Sequence, residues 1–130
     1  MTTLAYLDAS AIVKLVVEEP ESQALNRWYV ETERLTTSRV GVIETLRASA
    51  RTAFDADHRE RIIADLEIIE LSPAIARIAT TVGPAIVRTL DAVHLATALA
   101  IGGELEAFVT YDDRLAAAAR TIGLPVVQPA

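Results

Sequence analysis

The stretch Thr89-Leu90-Asp91-Ala92-Val93-His94-Leu95-Ala96-Thr97-Ala98-Leu99-Ala100-Ile101 reads as an almost wholly apolar helix, and Gly102-Gly103 stops it. The next segment, Ala107-Phe108-Val109-Thr110, reads as a buried strand, and Tyr111-Asp112 follows it directly. A helix apolar on every side must be buried. A short apolar strand beside it predicts a parallel sheet covered on both faces. The same alternation runs outward in both directions. Leu4–Leu7 reads as a strand, Ala9–Val17 as a helix, and Pro20 to about Glu31 as a second helix. Arg34–Thr37 and Glu67–Leu71 read as strands. The stretch Val40 to about Phe54 reads as a helix with Val40, Ile43, Leu46 and Ala50 on one face, and Asp57–Leu66 as another. Ser72-Pro73 is a helix start with Ser as cap and Pro in the first turn, and Gly83-Pro84 breaks that helix. Asp112 to about Ile122 is the last helix, before a terminal strand at Pro125–Val127. The expectation is an α/β fold: a three-layer α/β/α sandwich around a mostly parallel five-stranded sheet, as one domain over residues 1–130.

Composition bounds the chemistry. With 130 residues and 52% hydrophobic content the chain can bury one full core, which argues against disorder. Cysteine is absent, which excludes disulfides, thiolate zinc sites and cysteine nucleophiles. Met1-Thr2-Thr3 carries no basic segment, and Asp8 ends the apolar run early, so neither a secretory signal nor a membrane span is expected. A cytoplasmic protein is the expectation. The net charge of −6 has the wrong sign for a general nucleic-acid binder. That objection weakens if several acids hold a cation. The positive charge is almost all arginine, with Lys14 the only lysine, and arginine suits phosphate contacts.

In open α/β sheets, ligands bind beyond the carboxyl ends of the strands where the strand order reverses. Asp8 follows the first strand, Asp112 follows the fourth, Asp91 opens the apolar helix, and Glu44 lies early in the helix after the second strand. Four converging carboxylates would repel one another and raise their pKa values. A hard divalent cation, Mg2+ or Mn2+, removes that problem and activates a water for phosphodiester hydrolysis. Each acid alone has an ordinary explanation. Asp8 and Asp112 fit helix N-caps, Asp91 suits its helix dipole, and Glu44 could pair with Arg47 or Arg51. The joint pattern is harder to dismiss, although the sequence does not show that the four meet.

These segments resemble the PIN-domain family, in its VapC-type toxin branch. Tyr6-Leu7-Asp8-Ala9-Ser10 resembles the opening motif, and Ser38–Glu44 the segment with the helical glutamate. Arg88–Ala96 is similar to the family's Leu-Asp-Ala-x-His-x-Ala signature, and Phe108–Asp112 to its closing Thr-x-Asp motif. The resemblance implies an endoribonuclease held inactive by a cognate antitoxin, with transfer RNA as a candidate substrate and homodimers as the assembly. It implies Asp8, Glu44, Asp91 and Asp112 as the acidic set, with Asp8, Asp91 and Asp112 on the metal and Thr110 and Ser10 supporting by hydrogen bonds. Asp113 takes the place of Asp112 if the register shifts by one; the reading adopted is Asp112. His94, one turn after Asp91, is either a proton donor or metal ligand, or a structural histidine that orients Asp91 or is satisfied near the core. The structural role is favoured, since the acids suffice. Arg88 either contacts RNA phosphate or caps the preceding loop. Trp28 and Tyr29 are expected to pack rather than stack bases.

Two other classes compete. An aspartate-nucleophile phosphatase would need a lysine late in the chain, and none follows Lys14. A catalytically silent interaction module of the same fold would be indifferent to Mn2+.

Overall fold

The structure, a computed structural model, describes residues 3–130. The elements run β1 (Leu4–Leu7), α1 (Ala9–Val16), α2 (Ser22–Glu31), β2 (Arg34–Ser38), α3 (Arg39–Ser49), α4 (Ala56–Asp65) and β3 (Leu66–Ile69). They continue with α5 (Pro73–Ala79), α6 (Thr89–Ile101), a single 3-10 turn at Gly102–Glu104, β4 (Ala107–Val109), α7 (Asp113–Thr121) and β5 (Val126–Val127). The five strands form one sheet in the order β3-β2-β1-β4-β5, and all four pairings are parallel.

Alternation of side chains across β1 and β4 builds the two helical layers. Ala5, Leu7, Ala107 and Val109 point to one face, where Ala11, Ile12 and Leu15 of α1, Leu25 of α2 and Ile62 of α4 cover them. Tyr6 and Phe108 point to the other face, against Leu95 and Ala98 of α6 and Leu115 and Ala119 of α7. The Tyr6 and Phe108 rings stack with centroids 5.4 Å apart. Such a pair stabilises by about 0.5–1.5 kcal/mol beyond its buried area. Both central strands are buried throughout, as a parallel sheet requires.

The chain leaves β1 for β2 and β3 on one side and returns to β4 and β5 on the other, so the order reverses between β1 and β4. The register pairs Leu7 with Val109, and the Asp8 N–H donates to the Val109 carbonyl at 3.1 Å. One residue further, Asp8 and Thr110 emerge side by side at the carboxyl edge.

Three local expectations change. Pro20 lies in a turn rather than opening α2, which begins at Ser22. The Ser22 hydroxyl accepts from the Glu19 N–H and donates to the Lys14 carbonyl, so it closes that turn. The predicted long helix from Val40 ends at Ser49. Its buried face is Gly41, Val42, Thr45 and Ser49, whereas Ile43 and Leu46 are exposed. Small residues face inward because α3 is wedged between α1, α6 and the ends of the strands, where large side chains have no room. Among the described residues, no helix is long and apolar enough to cross a membrane.

Candidate active site

Asp8 is the N-cap of α1: its Oδ1 accepts from the Ala11 N–H at 3.0 Å and from the Ser10 hydroxyl at 2.7 Å. Its Oδ2 accepts from the Thr110 hydroxyl at 2.6 Å. Only 3% of Asp8 is exposed. Both hydroxyls are themselves fixed from behind. The Tyr111 N–H donates to Ser10 Oγ at 2.8 Å, and the Asp112 N–H to Thr110 Oγ1 at 3.1 Å. Burial raises the Asp8 carboxyl pKa, and the bonds from Ser10 and Thr110 only partly counter it. The cap explanation for Asp8 therefore holds, but it does not account for why a carboxylate stands in so dry a place.

Asp112 caps α7, with Oδ1 accepting from the Arg114 and Leu115 N–H groups at 2.9 and 3.1 Å. Asp113 is the first residue of α7 and is exposed. Asp91, in the first turn of α6, is half-buried, and among the described residues its carboxylate has no hydrogen-bond partner. Its pKa is raised, first by burial, then by the negative charge of Asp112, with Glu44 and Asp8 adding to it and His94 opposing. The charges that raise Asp91 come from three other segments, and Asp112 contributes the largest of them.

Glu44 does not pair with Arg47 or Arg51. Its Oε1 lies 2.6 Å from His94 Nε2, and His94 Nδ1 lies 2.6 Å from the Tyr6 hydroxyl. His94 is thus satisfied in the core, and its partner is Glu44 rather than Asp91. With both ring nitrogens engaged, it has no lone pair free for a metal. Tyr6 is the one member of this network that sequence reading passed over. A phenol in a fully buried strand needs a partner for its hydroxyl, and that requirement was the available signal.

Two grooves open on either side of the acids. One, of about 680 Å³, runs between α1 and α3 past Ser10, Glu44, Arg47 and Arg51. The other, of about 430 Å³, lies between α7 and the residues before α6, past Ile86, Arg88, Asp91, Asp112 and Arg114. The Arg88 side chain makes no capping bond to α6. Trp28 and Tyr29 pack against the core, as expected.

The donor set suits a hard cation. An unpaired Asp91 and a dry Asp8 both gain from positive charge nearby. Among the described residues, no three acidic or histidine side chains stand ready-made as a closed cage. Mg2+ does not need one, since it keeps several waters and commonly takes one or two carboxylates.

Residues 5–121 match the family model described as PIN domain. The chain is 39% identical to Ribonuclease VapC47 of Mycobacterium tuberculosis (strain CDC 1551 / Oshkosh), over 97% of each chain. Its fold is similar to the crystal structure of Mycobacterium tuberculosis VapC20, titled a sarcin-ricin loop cleaving toxin, with a TM-score of 0.74, 14% identity, and coverage of 96% of this chain and 99% of that one. It is also similar to a chain of a toxin-antitoxin complex from Klebsiella pneumoniae, with a TM-score of 0.68, 20% identity, and coverage of 97% and 98%. At these identities the two structures speak for the fold alone. The sheet order, the acids at its reversal point, the family match and the full-length relative agree: the chain belongs to the PIN-domain family, within its VapC branch.

Proposed function

We propose that the protein is an endoribonuclease that hydrolyses RNA phosphodiester bonds at the cluster of Asp8, Glu44, Asp91 and Asp112, with Mg2+ or Mn2+ as cofactor. The observation that carries this is the half-buried Asp91 carboxylate, which among the described residues has no hydrogen-bond partner, in a fold that sets Asp8 and Asp112 at the carboxyl ends of β1 and β4. Burial and the charges of Asp112, Glu44 and Asp8 all disfavour its ionised form, and a cation relieves all of these at once. The ribonuclease name of the full-length relative supports the reaction class. Asp8, Asp91 and Asp112 are the residues that would hold the cation. When bound, it would supply an activated water and offset charge developing on the phosphate.

The chain's own side chains do the rest. Ser10 and Thr110 fix the two Asp8 oxygens, which is the orienting role that outer hydrogen bonds play around ligating carboxylates. Arg88 and Arg114 flank Asp91 and Asp112, and Arg47 and Arg51 lie in the groove beside Glu44. They supply positive charge on both sides of the acids, so a chain of net charge −6 can still seat an RNA strand locally. Transfer RNA is the substrate class suggested by the family.

The same proposal includes inhibition by a cognate antitoxin, supported by the fold shared with a toxin-antitoxin complex. It includes action in the cytoplasm and self-association as a homodimer, for which Val30, Leu71 and Ile86 are exposed apolar side chains. A second reading, a silent interaction module, is favoured only by the lack of a ready-made cage among the described residues.

The test is cleavage of total cellular RNA by the purified protein with Mg2+ or Mn2+, with chelator, and with Asp8→Asn. Discrete fragments that require both the metal and Asp8 are expected. A folded, antitoxin-free protein that cleaves no RNA and ignores Mn2+ overturns the reading in favour of the silent module.

A further inference from the structure

We propose that Tyr6 and His94 are positioning residues that hold the Glu44 carboxylate at the edge of the acidic site. The inference rests on the nuclease reading above and assigns what orients Glu44.

The geometry is a buried relay. His94 is 1% exposed and Tyr6 wholly buried, whereas the Glu44 side chain is 29% exposed. A carboxylate only accepts, so the hydrogen between His94 Nε2 and Glu44 Oε1 sits on nitrogen. In the neutral ring Nδ1 then accepts, and the Tyr6 hydroxyl donates to it across 2.6 Å.

Two further features fit the role. Tyr6 cannot swing, because its ring is stacked on Phe108 at 5.4 Å within the central sheet. Gly41 lets α3 lie close beside Thr37 and the imidazole: a Cβ there would stand 2.2 Å from Thr37 Oγ1, and His94 Cε1 would be in ordinary contact at 3.4 Å. The relay therefore runs from the most rigid part of the fold to a glutamate on the rim. The Glu44 side chain is only partly buried, with its Oε1 held by the buried ring. What it gains is a single orientation, from a long side chain that would otherwise sample many rotamers.

A purely structural tie between α3 and α6 predicts loss of stability alone, and the experiment separates the two. Mn2+ affinity is measured by electron paramagnetic resonance on the full chain without RNA, together with kcat and KM for RNA and Tm. The variants are Tyr6→Phe, His94→Gln, His94→Leu, Glu44→Ala and the double variant Tyr6→Phe/Glu44→Ala. Tyr6→Phe keeps the ring and its stacking, so it folds. Its Mn2+ affinity or kcat is expected to fall about tenfold, the scale on which disturbing an outer partner of a metal site costs affinity or activity, with KM unchanged. His94→Gln, which retains an N–H, should keep more activity than His94→Leu. In the Glu44→Ala background, Tyr6→Phe should change Mn2+ affinity less than about twofold, because nothing remains to position.

The inference is overturned if Tyr6→Phe lowers Tm but leaves both Mn2+ affinity and kcat unchanged. It is overturned equally if its effect persists in full without Glu44. A wild-type protein that neither binds Mn2+ nor cleaves RNA defeats the nuclease reading and this inference with it. An active wild type with an unaffected Tyr6→Phe defeats this inference alone.

Discussion

Thr110 and Asp8 are 102 residues apart in the chain, and the Thr110 hydroxyl donates to Asp8 Oδ2 at 2.6 Å. The Thr110 hydroxyl oxygen in turn accepts from the Asp112 N–H at 3.1 Å. One buried hydroxyl therefore sets the position of two of the four acids. Replacing it with a methyl group strands a buried carboxylate oxygen and a backbone N–H. Thr110→Val should cost about 1–3 kcal/mol of stability. RNA cleavage should fall more than the folded fraction does. Thr110→Ser should retain most of both. Urea unfolding and single-turnover cleavage on the same samples test this, and a fully active Thr110→Val would contradict it.

Asp8→Asn separates stability from activity. Burial holds the Asp8 carboxyl above the ordinary aspartate range. The stability that its protonated form contributes is complete at acid pH and is lost as pH rises through the elevated folded value. In chelator at neutral pH, the charge-free variant should therefore be the more stable protein. The gap should narrow as pH falls toward ~3.9, where the unfolded aspartate also protonates. Excess Mn2+ should favour the wild type, since binding to the folded state alone stabilises it. Thermal melts across pH, with and without Mn2+, read both effects. A variant less stable at every pH in chelator refutes the argument.

Gly41→Ala should destabilise, although alanine is the better helix former by about 1 kcal/mol. The new Cβ would stand 2.2 Å from Thr37 Oγ1, which is buried and donates to the Leu7 carbonyl at 2.7 Å. Thr37 cannot move without breaking that bond, so α3 must shift and carry Glu44 with it. Overpacking of this kind costs about 1–3 kcal/mol. Denaturant melts and cleavage assays should show loss of both stability and kcat. An unchanged midpoint would mean that α3 has more freedom than its packing implies.

Arg88→Ala and Arg114→Ala address RNA seating. Both side chains line the groove beside Asp91 and Asp112. Each contact made to a single-stranded phosphate contributes about 0.7 to the slope of log affinity against log salt. Each variant should raise KM and flatten that slope by about this amount, with little change in Tm. Titrating RNA binding to the Asp8→Asn protein at several salt concentrations measures it. An unchanged slope would assign these arginines to the fold's surface alone.

The layout of the fold was legible because its signals are local. The apolar run from Thr89 to Ile101 could only be a buried helix, and Gly102, with φ of +77°, stops it where expected. The Ser72 cap and the strands at β1, β2, β3 and β4 were equally readable. The positions of Asp8, Asp91 and Asp112 at element ends followed from the same local rules. The face of α3 was not legible. Apolar periodicity marked Val40, Ile43, Leu46 and Ala50, yet the residues that face inward at the crowded edge of the sheet are Gly41, Val42, Thr45 and Ser49. Hydrophobicity predicts burial where there is space, and here space decided.

The sequence by itself determined which segments become strands and helices, that the sheet is parallel and doubly covered, and that acids end those strands. These follow from periodicity, caps and breakers, all of which act over a few residues. Only the tertiary structure decided the strand order that sets Asp8 beside Thr110, the Asp112 charge that acts on Asp91, and the partnership of Glu44 with His94 and Tyr6. Those relationships join residues dozens of positions apart. They depend on how the layers pack, because a buried polar group takes whichever partner the packing brings within reach.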